Sequence, residues 1–228
     1  MALGNQWLLA LKCNFIVYNC VVYGARQRHS GDKVAPWSGQ VSDEERWVEA
    51  ARGGDKAAFG RLVEAYQNPI YNLAYRMLGN GPEAEDAAQE AFIRAYRHLD
   101  SYDPGRPFST WLFSIASHYC IDRLRRRRID WLPLKEEIAE PVRLASASPN
   151  PEAVVTERDR EVWIRQLMST LSPTDRAAIT LHYWYDCPYK EIAEILDLTV
   201  SAVKSRLYRA RRALAEQMEG EAYALQES

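Results

Sequence analysis

At 228 residues the chain can form one large domain or two small ones, and either half is long enough to bury its own core. The formal net charge of −2 excludes a general electrostatic attraction to nucleic acid, so any such binding must come from local basic clusters. The sequence contains no apolar run of about 18 residues that would predict a membrane span. The four cysteines are scattered and indicate neither a disulfide framework nor a zinc site, which favours a reducing cytoplasm. They are Cys13, Cys20, Cys120 and Cys187.

Residues 1–41 are predicted to be an extension of unknown role. The stretch from Leu8 to Tyr23 is apolar but interrupted by polar residues, and 24–41 has the glycines and proline of a linker. The stretch has no positively charged n-region and no Ala-x-Ala-like cleavage site, so it does not have the pattern of a signal peptide. We interpret the extension as disordered or as the product of a start codon placed too far upstream. A weak membrane-surface anchor is the alternative.

Capping and breaking residues predict two helices next. Ser42 can cap the first helix, and the glycine pair at 53–54 ends it. Asp55 can cap the second helix, which Pro69 is expected to kink or break. Apolar residues repeat at helical spacing on both sides of this proline until the Gly-Asn-Gly turn at 79–81.

The third predicted helix, 82–99, has an apolar inner side and a polar outer side. Pro82 can occupy the first turn, where its missing N–H costs nothing, and acidic residues favour the positive end of the helix dipole. Acidic and amide groups suit a basic protein partner. The polar side carries Asp86, Gln89, Glu90 and Arg94.

A turn at 100–105 leads into a fourth helix, 109–128, which places aromatic residues directly before arginines. Bases can stack on the rings while guanidinium groups neutralise phosphates, so the composition suits single-stranded or melting nucleic acid. The alternative is that the rings are core residues and the arginines only complete the helix dipole. The residues concerned are Phe108, Trp111, Phe113, His118 and Tyr119, followed by Arg123 and Arg125–Arg128.

The helical pattern lapses from 129 to 155, where four prolines mark a linker, and returns at 156. We therefore predict an all-α fold with two small helical domains, 42–128 and 156–219, joined by a flexible linker and followed by a tail at 220–228.

The segment YKEIAEILDLTVSAVKSRLYRARRAL has the apolar pattern of a helix-turn-helix. Ala193 is small where two helices would cross, and Asp197 occupies the turn position where glycine is commoner but a left-handed aspartate is tolerated. Thr199 or Ser201 can cap the second helix. Its predicted exposed face suits the major groove, and a helical hairpin with a solvated basic face is the alternative. That face carries Ser201, Lys204, Ser205, Tyr208, Arg209 and Arg212.

An enzyme is disfavoured because no catalytic constellation is visible. The four histidines are dispersed, and H-E-x-x-H, G-x-S-x-G and the phosphate-binding G-x-x-x-x-G-K-[ST] do not occur. We predict no catalytic residue, no metal site and no cofactor.

The sequence DAAQEAFIRAYRHLDSYDP followed by PFSTWLFSIASHYCIDRLRRR resembles the second conserved region of bacterial sigma factors. The segment LSPTDRAAITLHYWYDCPYKEIAEILDLTVSAVKSRLYRARRAL resembles the fourth region. Having these two regions joined by a short linker is characteristic of the extracytoplasmic-function (ECF) group. The resemblance covers 43–218, and residues 1–40 have no counterpart in it.

The resemblance implies roles for individual residues. One set docks on the clamp helices of the polymerase β′ subunit: Asp86, Gln89, Glu90, Phe92 and Ile93. A second set captures the −10 element: Ser101, Tyr102, Phe108, Trp111, His118, Tyr119, Arg123, Arg125 and Arg126. His118 stands where the family frequently has asparagine. A third set reads the −35 element: Ser201, Lys204, Ser205, Arg206, Tyr208, Arg209 and Arg212.

The resemblance also implies a cytoplasmic protein that is monomeric when free. Its implied partners are promoter DNA, core RNA polymerase (through the β′ clamp helices and the β flap) and an anti-sigma factor. The rival function is a helix-turn-helix regulator whose N-terminal domain senses a ligand or partner; such a domain does not explain the aromatic–arginine stretch. A purely structural interaction protein is a third reading, and it would show no salt-dependent DNA binding.

Overall fold

The computed structural model describes residues 43–130 and 157–226, which are helical apart from short connections. The all-α prediction is confirmed for these residues. The helices are α1 (Glu44–Arg52), α2 (Lys56–Leu78), α3 (Gly81–Arg97), α4 (Phe108–Asp130), α5 (Glu157–Thr170), α6 (Pro173–Tyr183), α7 (Tyr189–Leu196) and α8 (Val200–Gln226), with a 3₁₀ turn at Leu99–Ser101. The predicted extension and most of the predicted linker lie outside the described residues.

Side-chain caps explain where several helices begin. The Asp55 carboxylate accepts hydrogen bonds from the backbone N–H groups of Ala57 (2.8 Å) and Ala58 (3.2 Å), which would otherwise be unpaired at the start of α2. Asn80 accepts one from Glu83 at the start of α3 (3.3 Å). Gly79 adopts φ 73° at the end of α2, a left-handed conformation that glycine takes without a steric penalty.

Two local predictions are corrected by the structure. The residue at the cap position of α1 is Asp43, not Ser42, and its carboxylate binds Arg46 instead of a backbone N–H group. Of the two outcomes predicted for Pro69, a kink or a break, the break does not occur, because α2 is one helix from Lys56 to Leu78. The buried neighbours Tyr66 and Ile70 hold the helix in the core, and tertiary packing of this kind outweighs the loss of one backbone hydrogen bond.

The two helical halves pack against each other, which the sequence analysis does not predict. Helices α6 and α7 lie against α2 and α4, and the buried apolar residues of both halves form one continuous cluster. The ring of Tyr185 meets the ring of Phe113 edge-on, with centroids 5.0 Å apart. The Arg76 guanidinium lies 4.4 Å from the centre of the Trp184 ring.

Hydrogen bonds reinforce this apolar interface between the halves. The buried Arg176 donates to the carbonyl oxygen of Met77 at 2.7 Å, and the Tyr185 hydroxyl donates to the carbonyl oxygen of Pro69 at 2.6 Å. The Thr110 hydroxyl donates to the Glu191 carboxylate at 3.2 Å, which joins α4 to α7. In this conformation the first half therefore covers the first helix of the helix-turn-helix.

Candidate nucleic-acid interface

A cluster of aromatic rings forms at the start of α4. Phe108 is only 1% exposed, and its ring centroid lies 5.7 Å from that of Trp111 and 5.6 Å from that of Tyr102. The Tyr102 and Trp111 centroids are 5.3 Å apart. Tyr102 is buried too, whereas Trp111 is half-buried. Of these three candidate −10 residues, Trp111 alone keeps substantial exposed area for stacking on a base.

The turn before α4 is fixed by hydrogen bonds within itself. The Ser101 hydroxyl donates to the carbonyl oxygen of His98 at 2.6 Å, and Asp103 accepts from the N–H of Gly105 at 2.9 Å. The Tyr102 hydroxyl donates to the carbonyl oxygen of Arg106. Ser101 itself is exposed, so this turn presents a preformed polar edge beside the aromatic cluster.

The basic part of α4 lies along one exposed side of the helix. His118, Arg123, Arg125 and Arg126 are exposed, and Tyr119 is half-buried. Two of the candidate arginines already have an acidic partner: Arg123 lies 3.9 Å from Glu83, and Arg125 lies 3.6 Å from Asp122. These exposed ion pairs are weak, so phosphate groups can replace the carboxylates at little cost.

The candidate docking surface for polymerase lies on α3. Asp86 and Gln89 are exposed, Glu90 and Phe92 are half-buried, and Ile93 is 43% exposed. This mixture of acidic, amide and exposed apolar groups suits a protein partner, because exposed large apolar side chains gain most from being covered.

Two further residues belong to this region, although the sequence analysis assigns neither of them a binding role. Tyr96 is 44% exposed one helical turn after Ile93 and meets the Phe59 ring edge-on at 4.9 Å. Arg94 donates to Glu90 at 2.7 Å and lies 4.9 Å from the centre of the Tyr119 ring. Arg94 thus connects a candidate polymerase contact with a candidate −10 residue. The i, i+3 spacing from Ile93 could have identified Tyr96, but no sequence signal reveals the Arg94 bridge.

Helices α7 and α8 form the predicted helix-turn-helix. Asp197 adopts the left-handed conformation at φ 52° and ψ 53°, as its turn position requires. Thr199, and not Ser201, caps α8, because its hydroxyl accepts from the N–H of Ala202 at 3.1 Å. Val203 and Leu207 are fully buried on the inner side. The exposed candidates share the opposite side: Ser201, Lys204, Ser205, Tyr208, Arg209 and Arg212.

Arg206 is separated from the other −35 candidates. Its guanidinium pairs with the Asp175 carboxylate at 2.9 Å, and Asp175 also accepts from the Ser172 hydroxyl at 2.6 Å at the start of α6. This arrangement fixes α8 against α6. Arg206 therefore supports the position of the helix instead of extending from its exposed side.

Both cysteines among the described residues are buried. Burial raises the pKa of the Cys120 thiol to about 12 and also raises the pKa of Cys187, so both cysteines are poor nucleophiles at neutral pH. Among residues 43–130 and 157–226, no group of three or more acidic, histidine or cysteine side chains could hold a metal ion. None of the helices in these two segments is long and apolar enough to cross a membrane.

Two protein-family models match the chain, Sigma-70 region 2 at residues 62–129 and Sigma-70 region 4 at residues 161–214. The ECF RNA polymerase sigma factor SigW of Bacillus subtilis is 41% identical over 177 residues, which is 75% of this chain and 94% of that protein. The ECF RNA polymerase sigma-E factor of Escherichia coli K12 is 35% identical over 172 residues, covering 73% and 90% of the two chains.

Solved structures give the same result. CnrH in complex with the cytosolic domain of CnrY matches with a TM-score of 0.58 and 25% identity, over 78% of this chain and 99% of that one. The sigma factor RpoE in complex with the anti-sigma factor NepR, from Bartonella quintana, matches with a TM-score of 0.51 over 71% and 96%; at 22% identity this likeness concerns the fold alone.

Proposed function

Since this chain belongs to the ECF group of sigma factors and is therefore a promoter-recognising subunit of RNA polymerase, we propose a division of its work among three surfaces. Helix α3 docks on the polymerase through Asp86, Gln89, Glu90, Phe92 and Ile93. The aromatic cluster and the arginines of α4 capture the −10 element, and the exposed side of α8 reads the −35 element.

The single observation that supports this division best is the placement of Trp111. Its half-buried ring rests on the buried rings of Tyr102 and Phe108, in the first turn of the helix that carries the exposed arginines further along. A ring held in this way can stack on an unpaired base without losing much conformational freedom on binding, while the arginines further along the same helix bind phosphates of the DNA backbone. Stacking contributes about 1–3 kcal/mol per base.

Strand opening in this proposal draws on binding energy. The sequence has no nucleotide-binding loop of the G-x-x-x-x-G-K-[ST] type. Because α4 and α8 belong to one chain, binding of α8 to the −35 duplex raises the effective concentration of α4 near the −10 element, and binding of α4 does the same for α8 at the −35 element. The chain contributes no catalytic residue to RNA synthesis; its work is to position DNA and polymerase.

Regulation in this proposal is by an anti-sigma factor that binds the free, monomeric chain in the cytoplasm. CnrH, which is 25% identical to this chain, was solved in complex with the cytosolic domain of CnrY. The second half would contact the β flap of the polymerase as well as the −35 duplex. The regulator with a sensing domain is not favoured, because residues 62–129 match Sigma-70 region 2.

Run-off transcription with purified core polymerase and a genomic DNA library tests the function directly. The full chain and a version that starts at Ser42 are assayed in parallel, with core polymerase alone as the control. Specific start sites that appear only with this protein would support the proposal and reveal its −35 and −10 elements together. Salt-dependent DNA binding without any specific start would contradict it and support the regulator instead.

A further inference from the structure

A partly buried hydrogen bond lies beneath the aromatic cluster, outside the three proposed surfaces. Tyr66, in the middle of α2, is only 3% exposed, and its hydroxyl donates to the carboxylate of Glu44 in the first turn of α1. A hydroxyl at this depth is costly unless it is hydrogen-bonded. Phenylalanine could supply the ring alone, so the hydroxyl and its partner provide something beyond packing.

The same tyrosine reaches the start of α4 from the other side. The Tyr66 ring meets the Phe108 ring edge-on with centroids 5.7 Å apart, and the side chain of Ser109 hydrogen-bonds the Tyr66 hydroxyl. Phe108 in turn contacts Trp111 at 5.7 Å. A continuous path of contacts therefore runs from Glu44 to the ring proposed to stack on a base.

Helix α1 supports this site in a second way. It packs against the 3₁₀ turn Leu99–Ser101, which leads into Tyr102. Burial raises the pKa of the Tyr102 hydroxyl, and the negative charge of nearby Glu44 adds to the effect. Tyr102 is the other neighbour of Trp111, at 5.3 Å. Of the two rings in contact with Trp111, Tyr102 is thus near Glu44, and Phe108 is linked to Glu44 through Tyr66.

We propose that Glu44 and Tyr66 are positioning residues for base capture at the −10 element, acting by fixing the start of α4 beneath Trp111. Glu44 lies before residue 62, where the match to Sigma-70 region 2 begins, so the proposal makes α1 part of the strand-opening unit although α1 lies outside the matched residues. The inference rests on the proposed role of Trp111. It assigns no contact between Glu44 or Tyr66 and DNA.

The test uses the full chain assembled with core polymerase on promoter DNA that carries a fluorescent base analogue in the non-template strand of the −10 element. Tyr66→Phe keeps the ring but removes the donor, and Glu44→Ala removes the acceptor. Glu44→Gln keeps a neutral acceptor. Glu49→Gln, at an exposed position of the same helix with no assigned contact, is the matched control.

We expect Tyr66→Phe and Glu44→Ala to slow the fluorescence increase by roughly 5- to 30-fold, with affinity for core polymerase and for a −35 duplex unchanged. Glu44→Gln should recover most of the rate, and Glu49→Gln should equal the wild type. The position of the Trp111 ring is followed by fluorine NMR of protein labelled with 5-fluorotryptophan. The Trp111 resonance is identified as the one that disappears in Trp111→Phe. It should shift or broaden in Tyr66→Phe, because the ring is no longer held in one position.

Two results would overturn the inference. One is an unchanged opening rate in Tyr66→Phe when Trp111→Ala is slow. The other is an equal loss of core binding, −35 binding and opening, since that shows a general folding defect. Failure of the proposed function is a separate result, because wild-type holoenzyme would then produce no promoter-specific fluorescence increase. If Glu44→Ala does not fold, Tyr66→Phe and Glu44→Gln still decide the question.

Discussion

Burial separates the aromatic residues near the −10 candidates into supporting and binding roles. Phe108 and Tyr102 are buried in the cluster, whereas Trp111 is half-buried above them. Trp111→Ala should therefore weaken strand opening by about 1–3 kcal/mol and leave −35 duplex binding unchanged. Permanganate footprinting of the −10 region and duplex titration measure the two effects. Trp111→Phe should retain part of the activity, and equal losses in both assays would contradict the stacking role.

The arginines of α8 divide in the same way. Arg209 is exposed, so Arg209→Ala should reduce −35 affinity by about 1–3 kcal/mol and lower the slope of affinity against salt by about 1. Arg206 is paired with Asp175, so Arg206→Ala should reduce the free energy of unfolding by about 1 kcal/mol and change DNA binding little. Duplex titration over a salt series and urea denaturation compare them, and a larger affinity loss for Arg206→Ala would reverse the assignment.

At the scale of the element, the turn of the helix-turn-helix depends on one left-handed residue. Asp197 has φ 52°, a conformation that glycine adopts freely and that β-branched residues strongly disfavour. Asp197→Val should lower the free energy of unfolding by about 1–3 kcal/mol and weaken −35 binding, because α8 would no longer be held at the same angle to α7. Asp197→Gly is the matched control and should preserve both properties. The midpoint of urea denaturation and duplex affinity are the measurements.

Several helix boundaries are predicted well, because local groups set them, whereas the cap of α1 at Asp43 and the continuation of α8 to Gln226 through the predicted tail are not. Asp55, Gly79 and Thr199 act where their side-chain or backbone chemistry predicts. Contacts between elements are not local, and here prediction fails. Nothing near Arg206 in the sequence reveals its partner Asp175, and helical spacing identifies the rings of α4 without showing that Phe108 faces inward.

At the scale of the molecule, the packed halves are too compact to read both promoter elements. Elements centred at −35 and −10 lie about 85 Å apart at 3.4 Å per base pair. A compact chain of this length has a radius of gyration of about 17 Å and is roughly 45 Å across. The residues between 130 and 157 could span up to about 90 Å when extended. The α2–α4 and α6–α7 faces must therefore separate before both elements are bound.

We expect Glu191 to make this separation depend on pH. Burial raises the pKa of its carboxyl above the ordinary 4.5, and the charge of Glu194 adds to this, while the hydrogen bond from Thr110 opposes it. The closed state consequently binds the proton more tightly than an open state that exposes Glu191 to water. Its contribution to closure is fully present below about pH 4.5 and is lost as the pH rises through the raised pKa.

Small-angle scattering of the free chain should accordingly show a radius of gyration that increases with pH across this window. Glu191→Gln cannot ionise, so it should remain closed and show no such increase, whereas Glu64→Gln, at an exposed position of α2, should behave like the wild type. An identical pH dependence in Glu191→Gln would assign the effect to another group. Because only the open chain can bind both promoter elements at once, Glu191→Gln should also lower the apparent affinity at neutral pH for promoter DNA that carries both elements, in proportion to the fraction of chains that it keeps closed.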